Sequence, residues 1–221
     1  MKAQFVFVCL VNALALGQVV SGQTSPVTMT KLVVHLQGPD VPETSFVAQP
    51  RTMYRAGIRY CRIEELPDTE HGIHGVVIIN EPDTWLVNLP AKTAQHQLDP
   101  GPTFDCRLPV FVSGEDIKSA ADTRSQLMGL EFGRELAYFE EKGATSGPGP
   151  ILQGKTTKAY TVEIGDSQLL LFTSGNPEKP VAVARQRGSK REVYWYGTYE
   201  EVPFDPQLFA KPEGVKIEDA K

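Results

Sequence analysis

The spacing of turn-forming residues places the strongest limit on the fold. The 221-residue chain contains 17 prolines and 19 glycines, which divide it into short segments. Because Pro and Gly interrupt regular elements, such a division favours a sheet with many turns over long helices. We therefore expect a mainly β (α+β) protein, and the length fits a single domain.

Strand-like patterns lie on both sides of the centre of the chain. They cover residues 27–36, 52–64, 73–80, 84–89 and 94–98, and then 156–164, 168–173, 181–187 and 191–202. Their short connections suit antiparallel neighbours and are too short for parallel crossovers. Residues 52–64 are expected to form one long strand. Its arginine row, Arg51, Arg55, Arg59 and the out-of-phase Arg62, is expected to be a solvated face, with an anionic-headgroup site as the alternative. The aromatic residues Tyr194–Tyr196 and Tyr199 are expected to be core and rim rather than a stacking site.

Residues 113–143 show a helical period instead. Ser113 with Asp116 is typical of a helix start, and Gly143 of a helix end. Apolar residues recur between them at mostly helical spacing, which predicts a helix pair. Gly129 and Gly133 weaken its centre, so we expect a break or tight packing near them. We expect residues 145–150 to be a flexible link, and Phe204, Leu208 and Phe209 to dock an irregular tail on the body of the domain.

The N-terminus is typical of a secretory signal peptide. Lys2 precedes the apolar run 5–16, which is too short for a comfortable membrane span. Val19 and the small residues Ser21 and Gly22 favour cleavage before Gln23, with cleavage after Gly17 as the alternative. The prediction is a signal peptide over 1–22 and a single exported domain over 23–221, whereas the alternative is a retained N-terminal helix or anchor.

Export places Cys61 and Cys106 in an oxidising compartment, where one pair of cysteines can form a disulfide. In the chain-entropy model such a bond stabilises the fold by roughly 4 kcal/mol. Two unpaired thiols are the equally weighted alternative. Cys9 lies inside the apolar run, preceded by Phe7 and Val8, and does not have the setting of a lipid-attachment cysteine.

The sequence carries no recognisable catalytic or cofactor motif. It has no Gly-x-Ser-x-Gly elbow and no phosphate-loop or dinucleotide spacing. His71 and His74 form a close pair but lack partners at metal-ligand spacing, so we expect both to be solvated and predict no metal site. With a net charge of −5, a nucleic-acid or anionic-membrane surface is not expected. We therefore predict no cofactor and no enzymatic activity, with an unrecognised hydrolase as a minor alternative.

Three phrases, in order behind the signal sequence, resemble the LolA/LolB-like group of exported lipoprotein carriers and sorting proteins. They are MYRAGIRYCRIE, GVVIINEPDTWLVNLPAKTAQHQL and VYWYGTYEEVPFDPQLFAKPEG. The resemblance covers about residues 27–216. It implies a strongly curved antiparallel sheet that forms an incomplete barrel, with the 113–143 helices as a lid over an apolar cavity for acyl chains.

The resemblance implies a periplasmic, monomeric, non-enzymatic carrier of a lipid or an acylated lipoprotein, with membrane-associated donor and acceptor partners. The alternative is an envelope regulatory or protein-interaction module without lipid cargo. The expected cavity residues are apolar side chains of the strands and helices: Val77, Ile79, Trp85, Val87, Leu130, Leu136, Phe139, Leu170 and Phe172.

Overall fold

The computed structural model describes residues 26–45, 48–98 and 127–219. Its strands are β1 (Thr28–Gln37), β2 (Arg51–Ala56), β3 (Tyr60–Glu65), β4 (Gly75–Asn80), β5 (Asp83–Asn88), β6 (Thr93–Leu98), β7 (Thr145–Leu152), β8 (Lys155–Ile164), β9 (Ser167–Ser174), β10 (Lys179–Arg187), β11 (Lys190–Pro203) and β12 (Lys216–Asp219). Helix α1 (Glu135–Glu141) and a 3-10 helix (Pro206–Phe209) complete these elements. None of the helices in the described ranges has the length and apolarity that a membrane crossing needs.

All twelve strands belong to one sheet, in the order β12-β6-β5-β4-β3-β2-β1-β11-β10-β9-β8-β7. Two meanders, β2–β6 and β7–β11, meet where β1 pairs with β2 on one side and with β11 on the other. The prediction of a mainly β, antiparallel-meander fold is confirmed. The edge strands are β12 and β7, so the sheet is open and not closed into a barrel.

The prediction of one long strand over residues 52–64 is wrong. The chain reverses at Gly57, which has a φ of +59°, and β2 pairs back on β3 from Ala56 with Tyr60 to Arg51 with Glu65. A left-handed φ is accessible to glycine at little cost, and this allows the tight turn. The result is a hairpin with a three-residue loop.

The helix pair expected over 113–143 is not supported by the described part of that range, residues 127–143. The structure has one short helix, α1, within residues 127–143, and residues 113–126 lie outside the described ranges. Gly129 and Gly133 have φ values of +89° and +78°, which no α-helix accommodates. The break expected near these two glycines is therefore present, and Leu127, Leu130 and Leu136 do not lie on one continuous helix.

Two further segments differ from expectation. Residues 145–150, predicted to be a flexible link, form most of the edge strand β7. Pro148 and Pro150 are tolerated there because an edge strand pairs on one side only and does not need a backbone N–H donor at every residue. The tail continues past the 3-10 helix into β12, which pairs in parallel with β6. The expected docking of the tail is confirmed, because Phe209 is fully buried among Met29, Ala56 and other tail-face residues.

Alternation along the strands gives the sheet two faces, which we name by what packs on them. The helix face carries the largest core cluster, which joins side chains of β1, β2, β9 and β11 to Phe139 of α1 and to Phe132 just before it. The tail face carries three smaller clusters. Val76, Ile78, Trp85, Val87 and Ala94 form the first; Leu170, Phe172, Ala182 and Ala184 the second; Met29, Ala56 and Phe209 the third. Both faces of the sheet are therefore apolar over much of their area.

Candidate functional site

The nine residues predicted to line one cavity divide between the two faces. Five belong to the helix-face core or pack against it: Val77, Ile79, Leu130, Leu136 and Phe139. Four belong to tail-face clusters: Trp85, Val87, Leu170 and Phe172. Successive strand residues point to opposite faces, so these two groups have the sheet between them. The structure does not bring the nine residues together around one site.

A buried ion pair lies beside α1 on the helix face. Arg55 is 4% exposed, and its Nη2 lies 2.7 Å from Glu131 Oε2. Its Nη1 donates to the Phe132 carbonyl over 2.7 Å and its Nε to the Gly57 carbonyl over 3.0 Å. Burying an arginine is costly unless it is paired and hydrogen-bonded, and these three partners meet that need. The expectation of a solvated arginine face is therefore wrong for Arg55, and also for Arg51, which is 7% exposed.

Glu135 is the second acid of this cluster and is 1% exposed. Its Oε1 accepts hydrogen bonds from the Tyr196 hydroxyl at 2.7 Å and from the Gly133 amide at 2.8 Å. Burial raises the pKa of Glu135 above its ordinary value of 4.5. Burial likewise raises the pKa of Tyr196 and of Tyr199. This polar cluster is enclosed in the core and has the character of a structural network.

The aromatic run follows the interpretation made for it, and of the two histidines only His71 is solvated, whereas the His74 side chain is 22% exposed. Tyr194 and Tyr196 are buried in the helix-face core, while Trp195 packs against a tail-face cluster. His71 Nδ1 lies 2.8 Å from Asp68 Oδ2, and its side chain is largely exposed. Across the described residues, no group of three or more His, Cys, Asp or Glu side chains is placed to hold a metal ion.

Cys61 lies on β3, is fully buried in the helix-face core and is disulfide-bonded. Cys106 lies outside the described residues. The pairing of Cys61 with Cys106 stays a prediction.

A pocket of about 240 Å³ lies on the tail face, between the sheet and the tail. The sheet contributes Arg62, Val76, Ile78, Val87 and Leu89, and the tail contributes Gln207, Ala210, Lys211, Pro212, Glu213 and Val215. We call this site the tail-face pocket. Its floor is apolar because Val76, Ile78 and Val87 point to the tail face of adjacent strands.

The tail is held over the pocket at both ends. Upstream, Phe209 is buried, and its carbonyl accepts from Asn80 Nδ2 over 3.4 Å. Arg62 Nη1 donates to the Leu208 carbonyl over 3.3 Å. Downstream, Lys216 begins the parallel pairing of β12 with β6. Residues 210–215 therefore form one wall of the pocket.

Of the three floor residues, the sequence-based prediction includes Val87 but not Val76 or Ile78. The run Gly75–Asn80 contains four consecutive apolar residues, so it gives no alternation from which to assign faces. The predicted cavity residues Val77 and Ile79 face the helix side of the sheet, while Val76 and Ile78 form the floor of the pocket. Only the tail, by covering one face, identifies which side forms the pocket.

No family model matches the sequence, and no curated protein sequence matches it. Among solved structures, the chain is similar to an uncharacterized conserved protein from Thermus thermophilus, with 9% identity and a TM-score of 0.49 over 88% of this chain and 91% of that one. It is also similar to PNGF-II, with 10% identity and a TM-score of 0.40, over 88% of this chain and 32% of that one. A third similar structure is a LolA superfamily protein from Nitrosomonas europaea, with 10% identity and a TM-score of 0.37 over 84% of this chain and 90% of that one. The group that the sequence phrases resemble is thus present among the structural neighbours.

Proposed function

We propose that the protein is a non-enzymatic binding or carrier protein for an acylated molecule, either a lipid or a lipidated protein. The acyl chain would enter the tail-face pocket. The observation that supports this proposal is the pocket itself, with Val76, Ile78 and Val87 on its floor. A binding site commonly combines apolar side chains with polar groups that orient the ligand, and here Arg62, Lys211 and Glu213 accompany the apolar floor.

The tail-face pocket suits an acyl chain better than the space under α1 does. Phe139 of α1, and Leu130 and Phe132 before it, are at most 1% exposed and belong to one packed cluster. A close-packed interior has few voids larger than a water molecule and does not admit a chain without rearrangement. The proposal therefore moves the expected acyl site from the helix face to the tail face.

The setting of this activity follows from the sequence. The apolar run 5–16 behind Lys2 predicts export, so we propose that the protein acts in the periplasm as a monomer. A carrier there would exchange its cargo with membrane-associated donor and acceptor partners. These steps need no catalytic residue.

The test is a fluorescence titration of the purified mature protein with N-phenyl-1-naphthylamine, a neutral probe that brightens in apolar sites. We expect saturable binding. Leu89→Trp, which fills the pocket from the end of β5, should weaken it. The matched control is Leu86→Trp, because Leu86 lies three residues away, is exposed to a similar degree and points to the helix face.

Equal loss of binding in both variants would place the probe elsewhere and contradict the pocket assignment. If the wild-type protein binds neither the probe nor any co-purified acyl species, the carrier proposal fails. The protein-interaction module then becomes the leading function.

A further inference from the structure

We infer that the tail-face pocket selects a single-chain amphiphile with a carboxylate headgroup, that is, a free fatty acid. This inference rests on the proposed function and names the ligand class of the same site. It depends on two observations, the size of the pocket and the charged side chains in its wall.

The size of the pocket favours one alkyl chain. Its volume of about 240 Å³ is below the roughly 300–1,000 Å³ that is typical of sites for drug-sized ligands. A diacyl lipid would need to place two chains on the same floor. The apolar floor lies on β4 and β5, and Arg62 lies on the adjacent strand β3.

Arg62 is the first cation of the wall. Its side chain is 17% exposed, and its Nε is buried and makes no hydrogen bond with any described residue. Glu64 Oε2 lies 3.5 Å from this Nε, beyond a good hydrogen bond, and Glu64 Oε1 also lies 3.8 Å from His74 Nε2. The Arg62 Nη1 donates to the Leu208 carbonyl over 3.3 Å, which fixes the guanidinium at the pocket, and its remaining Nη hydrogens can bind a carboxylate.

Lys211 is the second cation, contributed by the tail. It is exposed, and within the described ranges it has neither a hydrogen bond nor an ion pair. Its long side chain can follow an anionic headgroup at the pocket while its stem packs on the apolar wall. Glu213 is the one carboxylate among the lining residues, and Glu64, which lies outside the lining, offsets part of the charge of Arg62.

This charge pattern gives predictions of opposite sign for two exposed neighbours in the tail. Lys211→Gln removes an attraction and should weaken fatty-acid binding. Glu213→Gln removes a repulsion and should strengthen it. Neither substitution removes a contact within the described structure, so each tests the charge without disturbing the fold. Surface charge effects of this kind correspond to about a two- to fivefold change in affinity.

The experiment is displacement of bound N-phenyl-1-naphthylamine from the wild-type protein by three ligands of equal chain length, all kept below micelle formation. They are laurate, dodecanol and dodecyltrimethylammonium. We expect laurate to bind about fivefold or more tightly than dodecanol, and the ammonium ligand to bind most weakly. Raising the salt concentration should reduce the advantage of laurate and leave dodecanol unchanged, because salt screens only the charged headgroup.

The outcomes separate this inference from the proposed function. If laurate and dodecanol compete equally, or if the ammonium ligand binds best, the carboxylate selectivity is refuted while the apolar site stands. If none of the three displaces the probe in a manner sensitive to Leu89→Trp, the proposed site itself fails. If Lys211→Gln and Glu213→Gln change laurate affinity in the same direction, the electrostatic reasoning is overturned.

Discussion

Replacing Arg55 by Met should destabilise the fold strongly, although the two side chains have similar length and both can pack against apolar neighbours. The substitution removes the partner of Glu131 and the donors that satisfy the Phe132 and Gly57 carbonyls. Glu131 is 8% exposed and would remain as a buried carboxylate without its cation. Removing one member of a buried ion pair costs about 3–5 kcal/mol, because the other charge loses its compensation.

The assay is urea unfolding of the oxidised protein, followed by tryptophan fluorescence and circular dichroism. In a thermal melt of a chain of this size, the same loss of about 3–5 kcal/mol in the free energy of unfolding corresponds to a fall in Tm of about 6–20 °C. The matched control is Lys31→Met. Lys31 pairs with Glu200 over 3.7 Å with both side chains well exposed, so its removal should cost at most about 1 kcal/mol.

A second substitution tests the cause of the loss. If uncompensated charge is responsible, Glu131→Met in the Arg55→Met background should recover much of the stability, since an apolar pair often replaces a buried ion pair at little cost. A loss below about 1 kcal/mol for Arg55→Met would refute the reasoning. So would a double variant that is no more stable than Arg55→Met alone.

Three further predictions concern other parts of the structure. Burial raises the pKa of Glu135 above 4.5, so the folded protein keeps a proton that the unfolded chain loses. The free energy of unfolding should therefore fall as the pH rises from about 4.5 towards the raised pKa, and Glu135→Gln should remove that part of the slope; identical slopes in both proteins would contradict it. Phe209→Ala should cost about 3–5 kcal/mol in urea unfolding, because Phe209 is fully buried and stacks on Phe204, and a loss below about 1 kcal/mol would show that the tail is not anchored there. Peptide mapping under non-reducing conditions should find Cys61 linked to Cys106 in a protein that begins near Gln23, whereas alkylation of Cys106 without reduction would exclude the pairing.

The sequence predicts the strands well and their pairing less well, and the hairpin at Gly57 shows why. Ala56 pairs with Tyr60 across a three-residue loop, so these two residues lie an even number of positions apart. The alternation of faces continues through the turn, and Tyr54, Ala56 and Tyr60 share the tail face as expected. One long strand and a hairpin therefore give the same pattern, and only Gly57 signals the reversal.

The buried arginines were predictable in part. Met53 lies between Arg51 and Arg55 and faces the same side of β2, so a solvated face would have exposed this Met. Their ion-pair partners were harder to predict from the sequence, because Glu131 lies far along the chain and reaches Arg55 only through the turns at Gly129 and Gly133.

The pocket was not predictable either, because one of its walls also comes from a distant part of the chain. It is formed by a tail whose parallel strand, β12, contains a single apolar residue, Ile217, and has no recognisable strand pattern.

The pairing of β1 with β11 has a consequence for the order in which the chain folds. Each meander can form from neighbouring hairpins, but Leu32 finds its partner Tyr199 only after almost the whole sheet has been made. Closing a loop of roughly 160 residues costs on the order of 4–5 kcal/mol in chain entropy. The hydrogen bonds and contacts between β1 and β11 can offset this cost only after the loop has closed. Contacts so distant along the chain slow folding. Until β11 arrives, one edge of β1 and of the first meander stays open to strands of other molecules, so the risk of aggregation is greatest in partly folded chains and ends when this ladder closes.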